Sequence, residues 1–215
     1  MPRDLVYACA TTAALAGDLA AAIAMLLSYD CWLRVSEVAA LAAGAVVDHR
    51  GVADPVGRGV SVFIARAKTG VRQAVAIESA EVAALLLAWK VATEQAGGAR
   101  LFPTPDKLRS ALARALRALG ADGPEWETRG LQFVWHSFRH GGASRAHLAG
   151  RDLSAILIRG RWAVESSGRH YIQAGRQMLL SLALPRTVSD LARRAQHVGL
   201  ISIHASDLPA RLRNV

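Results

Sequence analysis

Short β-branched stretches lie between residues 46 and 77 of this chain, and helical patterns of apolar residues occupy the sequence on both sides. The stretches cover residues 46–47, 60–65 and 72–77, and Gly and Pro separate them, which is typical of strands joined by turns. We expect them to form a meander. The sequence therefore predicts a mainly helical α+β domain with a small three-stranded antiparallel sheet.

Apolar residues recur at helical spacing over the rest of the chain. The predicted helices cover residues 4–16, 18–30, 36–44, 79–96 and 105–119, residues 120–130 form a loop, and further helices from His136 onward break at Gly150, Gly160 and Pro185. The apolar run 5–27 is rich in Ala and contains Asp18, which argues against a membrane helix or a signal peptide. We interpret it as two buried helices.

The chain is strongly basic, with 26 Lys and Arg residues against 17 Asp and Glu residues and a formal net charge of +9. Such a charge favours a polyanionic partner, above all a nucleic acid. A coding bias towards Ala and Arg is the alternative explanation, since only three lysines occur. Cys9 and Cys31 lie in apolar surroundings and predict buried thiols in a reducing compartment. Together with the positive charge, they lead us to expect an intracellular, DNA-associated protein.

The densest group of chemically versatile residues is the sequence His136-Ser137-Phe138-Arg139-His140. Positions i, i+3 and i+4 share one face of a helix, so His136, Arg139 and His140 point towards one site. By itself this short motif is a weak signal. Other residues strengthen it: Arg34 follows an apolar helix, and Tyr171 comes nine positions after Trp162.

This ordered set resembles the tyrosine site-specific recombinase family, which includes phage integrases and Xer-type resolvases. The resemblance spans about residues 20–175, and the positions that carry it are Arg34, Glu37, Lys68, His136, Arg139, His140, Trp162 and Tyr171. It implies the family's catalytic domain, which breaks and rejoins DNA through a covalent 3′-phosphotyrosyl intermediate on Tyr171. It also implies that neither a metal ion nor a cofactor takes part.

Tyrosine attack on a phosphodiester explains why these residue types are needed. The transition state carries extra negative charge on its non-bridging oxygens, and the guanidinium groups of Arg34 and Arg139 can each bind such oxygens in a bidentate manner. A phenol is protonated at neutral pH, so Tyr171 needs a base or a strong positive field. His136 can accept that proton or donate a hydrogen bond to the phosphate.

The remaining positions have roles that the resemblance implies. Lys68, on the turn between two strands, is similar to the family's general acid, which protonates the leaving 5′-hydroxyl. Trp162 offers an indole N–H donor and a rigid apolar wall. Glu37 and His140 resemble the residues that hold the arginine and its neighbours in place.

Each assignment has a structural alternative. Arg34 could cap the end of its helix, Lys68 could be an ordinary solvated lysine, and Trp162 could be a core residue. His140 could be a structural histidine, and Tyr171 could be a buried helix tyrosine.

Spacing adds a geometric condition. Nine residues of regular helix turn through about 900°, which places Trp162 and Tyr171 on roughly opposite faces. Both reach one phosphate only if Trp162 lies in a turn before the helix, and Gly160 favours such a turn.

For the organisation of the chain, we expect a catalytic domain over residues 1–185 and a tail over residues 186–215. The separate DNA-binding arm that precedes most such domains is expected to be absent. Apolar residues in the tail recur at helical spacing and predict an amphipathic helix. The resemblance implies double-stranded DNA as the partner and a homo-oligomer on it, a tetrameric synapse. The tail helix would then dock on a neighbouring subunit or, alternatively, on its own domain.

The same residues leave other functions open. A recombinase-derived protein that binds DNA without catalysis does not require Tyr171, and a type IB topoisomerase uses related residues. A metal-dependent transposase is disfavoured, because no trio of carboxylates is evidently arranged for two-metal chemistry.

Overall fold

Helices form most of the structure over residues 1–49, 59–67, 70–127 and 132–198, which are the residues that the computed structural model of the protein describes. The helices are α1 (Arg3–Leu15), α2 (Leu19–Asp30), α3 (Val35–Ala39), α4 (Ala80–Gln95), α5 (Pro105–Ala118), α6 (Pro124–Glu127), α7 (His136–Leu148), α8 (Leu153–Gly160), α9 (Glu165–Tyr171), α10 (Ala174–Ala183) and α11 (Arg186–Val198). The strands are β1 (Val46–Asp48), β2 (Val60–Ala67) and β3 (Gly70–Ala76).

The three strands form one antiparallel sheet in the order β1-β2-β3. Val62 is opposite Val46 on one side and Val75 on the other. Alternate residues of β2, namely Val60, Val62 and Ile64, are buried, as expected when one face of a sheet covers a core. The predicted mainly helical α+β class with a small three-stranded antiparallel sheet is therefore confirmed.

The N-terminal apolar run forms two buried helices, as predicted. Gly17 adopts a φ of +81°, a conformation that glycine reaches without steric cost, and the chain turns there from α1 into α2. The side chain of Asp18 caps α2 by accepting a hydrogen bond from the backbone N–H of Ala21. In the described part of the chain, no helix has the length and apolar character needed to cross a membrane.

α7 lies at the centre of the C-terminal half, where it contacts α2, α8, α9 and α10. Gly142 allows its close approach to the segment after α2. A Cβ atom at this position would lie 2.3 Å from Nε1 of Trp32 and 2.5 Å from the carbonyl oxygen of Tyr29. The sequence 136–140 is thereby held against the segment that leads to Arg34.

Three local predictions were wrong in detail. The short helix expected over residues 36–44 ends at Ala39, and a separate 3-10 turn follows at Ala43–Ala45. The loop expected over residues 120–130 contains α6, because Trp126 is buried and its indole N–H donates to the carbonyl oxygen of Gly120. The chain also leaves the helical conformation at Ile172, between α9 and α10, where no break was predicted.

The amphipathic helix expected in the tail is present as α11, after the break at Pro185. Its apolar residues are buried within the chain, since α11 packs on α1; they are Val188, Leu191, Ala192 and Ala195. The single chain therefore shows the docking on its own domain. Docking on a second subunit stays a prediction.

Candidate active site

Tyr171 and His136 are joined by a hydrogen bond. Tyr171 is the last residue of α9 and His136 the first of α7, and 2.9 Å separate the phenol oxygen from Nε2 of the imidazole. The two rings meet edge to face, with their centroids 5.1 Å apart. The packing of α9 on α7 thus brings the predicted nucleophile to the first position of the predicted motif.

The surroundings of His136 favour its neutral form. Burial lowers the pKa of His136, and the positive charges of Arg139 and Arg34 lower this pKa further. A neutral imidazole has one unprotonated ring nitrogen. With the proton on Nδ1, Nε2 accepts the hydrogen of the Tyr171 hydroxyl, which is the arrangement that a general base needs.

Arg139 lies beneath the tyrosine and has no exposed surface. Its guanidinium donates to two backbone carbonyls, that of Trp32 at 2.7 Å and that of Gly160. The guanidinium carbon is 5.3 Å from the centroid of the Tyr171 ring and 4.7 Å from that of Trp162. Burial, followed by the charges of Arg34 and Arg161, lowers the pKa of Arg139 to about 10, so the group stays cationic at neutral pH.

This position differs from the bidentate phosphate contact expected from the sequence. Two of the three guanidinium nitrogens of Arg139 already donate to carbonyl groups, and the residue has no exposed surface with which to meet a phosphate. Its Nε is buried and has no hydrogen-bond partner among the described residues. In this arrangement Arg139 supplies positive charge beside the phenol and ties α7 to α8.

Trp162 lies in the turn between α8 and α9, as the spacing required. Its ring centroid is 4.7 Å from that of Tyr171, and it stacks on Trp32 at 5.9 Å. Gly160 makes room for the ring, because a Cβ atom there would lie 1.9 Å from Trp162. The indole nitrogen is buried and has no hydrogen-bond partner within the described part of the chain. Trp162 therefore forms an apolar wall beside the tyrosine.

Arg34 precedes α3 and pairs with Glu37. Its Nη1 lies 2.6 Å from Oε1 of Glu37, and its backbone N–H donates to Oε2 at 2.9 Å. The Arg34 side chain keeps 20% of its surface exposed. A cavity of about 480 Å³ is lined by Arg34, Trp162 and Tyr171 together with residues of α9. A charged group in this cavity would thus meet both the tyrosine and an accessible guanidinium.

His140 packs flat against the phenol. The two ring centroids are 4.5 Å apart, and the ring of His136 lies edge to face on the same imidazole at 5.2 Å. Burial, and then the electrostatic influence of the neighbouring His136, lowers the pKa of His140 to about 4. A histidine that is neutral throughout the physiological range thus packs against the phenol ring, and its supporting role in the reaction stays a prediction.

Sequence reasoning missed two residues at the site, Arg161 and His170. Arg161 pairs with Glu37 at 2.7 Å, and the ring of His170 contacts that of His140 at 5.7 Å. Each is the immediate neighbour of a predicted residue, Trp162 or Tyr171. Proximity in sequence was the available signal, but neither belongs to a spaced motif.

The structure thus brings together seven of the eight residues singled out from the sequence: Arg34, Glu37, His136, Arg139, His140, Trp162 and Tyr171. The eighth, Lys68, lies outside the described residues. Over the described ranges, no three His, Cys, Asp or Glu side chains are grouped so as to hold a metal ion. The grouped residues instead combine one phenol, neutral imidazoles and guanidinium groups.

Comparison with known proteins adds no family. No family model matches the sequence, and no curated protein matches it either.

Proposed function

We propose that the chain is the catalytic domain of a tyrosine site-specific recombinase, which breaks and rejoins DNA through a phosphotyrosyl bond at Tyr171. The observation that carries the proposal is the 2.9 Å hydrogen bond between Tyr171 and His136. A phenol held by a neutral imidazole among cationic guanidinium groups is prepared for nucleophilic attack. An ordinary structural tyrosine requires none of these neighbours.

In the proposed reaction the phenol oxygen of Tyr171 attacks a backbone phosphorus and His136 accepts the phenol proton. The bond from phosphorus to the 5′ oxygen breaks, which leaves a 3′-phosphotyrosyl link and a 5′ oxygen that must be protonated. Lys68 is the proposed donor of that proton. A 5′-hydroxyl from another strand reverses the step and rejoins DNA, so the link conserves the energy of the broken bond.

Two cations support the charge that develops in this step. Arg34 lines the cavity beside Tyr171, and the guanidinium of Arg139 lies 5.3 Å from the phenol ring. Charges that the fold holds in place stabilise a transition state more strongly than mobile water dipoles, because they need no reorganisation during the reaction. Arg34 is the proposed phosphate contact. Arg139 is proposed to supply a positive electrostatic field beneath the ring of Tyr171.

Double-stranded DNA is the proposed substrate and partner. The net charge of +9 suits a polyanion. Assembly of several copies on DNA belongs to the proposal, because exchange of strands between two duplexes needs more than one nucleophile.

A second candidate is a recombinase-derived protein that binds DNA without cutting it. The buried position of Arg139 favours this candidate, because the guanidinium is engaged by the carbonyl groups of Trp32 and Gly160 and lacks an exposed face. Catalysis through direct phosphate contact would require these bonds to rearrange when DNA binds.

Trapping of a covalent adduct separates the two candidates. The probe is a library of nicked duplexes of random sequence, in which the short cleaved strand diffuses away and rejoining is prevented. We expect a denaturant-resistant protein–DNA adduct that forms with chelator present, and that disappears in Tyr171→Phe. Tyr7→Phe is the matched control, since Tyr7 lies in α1 and donates to Glu81. DNA binding by the wild type with no adduct would favour the second candidate.

A further inference from the structure

Glu37 lies between two guanidinium groups. Its Oε1 is 2.6 Å from Nη1 of Arg34, and its Oε2 is 2.7 Å from Nη2 of Arg161. The Glu37 side chain is 3% exposed and that of Arg161 is 5% exposed. The Arg34 side chain lines the same cavity as Tyr171. Arg34, Glu37 and Arg161 thus form an ion-pair cluster, in which Arg34 is the member that lines the cavity.

The net charge of this ion-pair cluster matters for the binding of a phosphate. Arg34 and Glu37 alone would form a neutral pair, and a buried carboxylate beside Arg34 would compete with an incoming anion. Arg161 supplies a second positive charge on the far side of the same carboxylate. The group as a whole keeps a positive charge, so the attraction of Arg34 for a phosphate oxygen is preserved.

The backbone at Arg161 links this ion-pair cluster to Trp162. Arg161 adopts a φ of +56°, which is uncommon for a residue with a side chain, and it ends α8 immediately before Trp162. Its ion pair with Glu37 spans 124 positions of sequence. The same side chain therefore fastens the turn that carries Trp162 to the segment that carries Arg34.

We propose that Arg161 is a positioning residue of the cleavage reaction, which acts through Glu37 to keep Arg34 correctly oriented towards the scissile phosphate. The inference rests on the proposed function. Arg161 is absent from the lining of the cavity and its side chain is 5% exposed, so the proposed action is indirect.

A change in substrate charge tests this role. A methylphosphonate linkage carries a methyl group in place of one non-bridging oxygen and has no charge, so it needs less help from Arg34. On ordinary phosphate, Arg161→Met should slow adduct formation by ~10- to 100-fold, since a small misplacement at a reacting centre costs on the order of 100-fold. On methylphosphonate the ratio of wild-type to variant rate should fall to within about threefold, as it should for Arg34→Ala.

Arg159→Met is the matched control. Arg159 lies in the last turn of α8, two positions before Arg161, its side chain is 7% exposed, and it pairs with Asp30 and Glu78. A purely structural loss in α8 lowers the rate on both linkages in equal proportion, and this is the expected behaviour of the control. Melting temperatures of both variants show how far the fold is weakened.

A double-mutant cycle tests the route through Glu37. If Arg161 acts on that carboxylate, Arg161→Met should have little further effect in a Glu37→Gln background. Should the Met variant fail to fold, Arg161→Lys provides the test: it keeps the charge but has no planar fork, so partial activity is expected.

The outcomes are distinct. A wild-type rate for Arg161→Met on phosphate, or an equal loss on both linkages, overturns the positioning role while the recombinase proposal stands. A wild type that forms no adduct overturns both. A selective loss on the charged linkage, together with non-additivity with Glu37→Gln, supports the inference.

Discussion

The phenol oxygen of Tyr171 and Nε2 of His136 lie 2.9 Å apart, although 35 positions separate the residues in the sequence. The guanidinium of Arg139 lies under the same ring, and the imidazole of His140 stacks on it. Because these three neighbours all lie on α7, the position of the phenol depends on the packing of α9 on α7 rather than on one flexible side chain. The following predictions test what this arrangement does.

The rate of cleavage should depend on the protonation of His136. The pKa of His136 is lowered by burial and by nearby cations. Protonation of this base should therefore slow the reaction only at a pH below the ordinary histidine pKa of about 6.5. This fall in rate is the acid limb of the pH profile. His136→Gln should slow adduct formation by ~10²- to 10⁴-fold and remove the acid limb. Single-turnover rates across the acidic and neutral range measure both effects. His147→Gln, an exposed change on α7, should keep the limb. A limb that persists in His136→Gln would mean another base acts.

The stability of the fold should depend on pH through His140. The pKa of His140 is lowered to about 4 in the folded protein, whereas a histidine in the unfolded chain titrates near ~6.5. Between these values the unfolded chain binds more protons, so the free energy of unfolding is fully retained above the higher value and declines as the pH falls. Urea unfolding should show a weaker decline for His140→Gln than for the wild type or His147→Gln. An unchanged decline would contradict the assignment.

Replacement of Arg139 by Lys should damage both activity and stability. An ammonium group has no planar fork with which to donate to the carbonyl groups of Trp32 and Gly160 together. A buried acceptor left unpaired costs about 1–3 kcal/mol, and adduct formation should fall by orders of magnitude. Arg169→Lys, at an exposed pair with Glu165, serves as the control. Near wild-type cleavage by Arg139→Lys would show that the fork has no function.

DNA affinity should fall steeply as salt is raised. A basic domain that binds mainly through phosphate contacts releases one condensed counterion for roughly each contact. Fluorescence anisotropy with a labelled duplex at several salt concentrations gives the slope of log affinity against log salt. A flat plot would count against nucleic acid as the partner.

The packing of α11 on α1 should stabilise the monomer. Leu191 is 2% exposed, and Leu191→Ala should lower the free energy of unfolding by about 2–5 kcal/mol. Arg193→Ala, an exposed change on the same helix, should have little effect. The unfolding midpoint should not depend on protein concentration if the helix docks within its own chain. A midpoint that rises with concentration would instead support docking on a second subunit.

Local patterns predicted most of the secondary structure and placed His136, Arg139 and His140 on one helix. The period of the apolar residues predicted the two N-terminal helices, the sheet and the helices around Leu85 and Leu112, because burial on one face imposes that period directly. The break at Ile172 was missed, since no Gly or Pro marks it and the extended conformation there follows from the packing of α9 and α10 on α7.

The sequence by itself determined the mainly helical class, the order of the elements and the shared face of His136, Arg139 and His140, because these depend on spacing along one chain segment. Only the tertiary structure decided that Arg139 is buried and that Arg161 shares Glu37 with Arg34. Burial and ion pairing depend on which distant surfaces meet. Contacts that span more than a hundred positions are created by the packing of helices, and no local pattern encodes them.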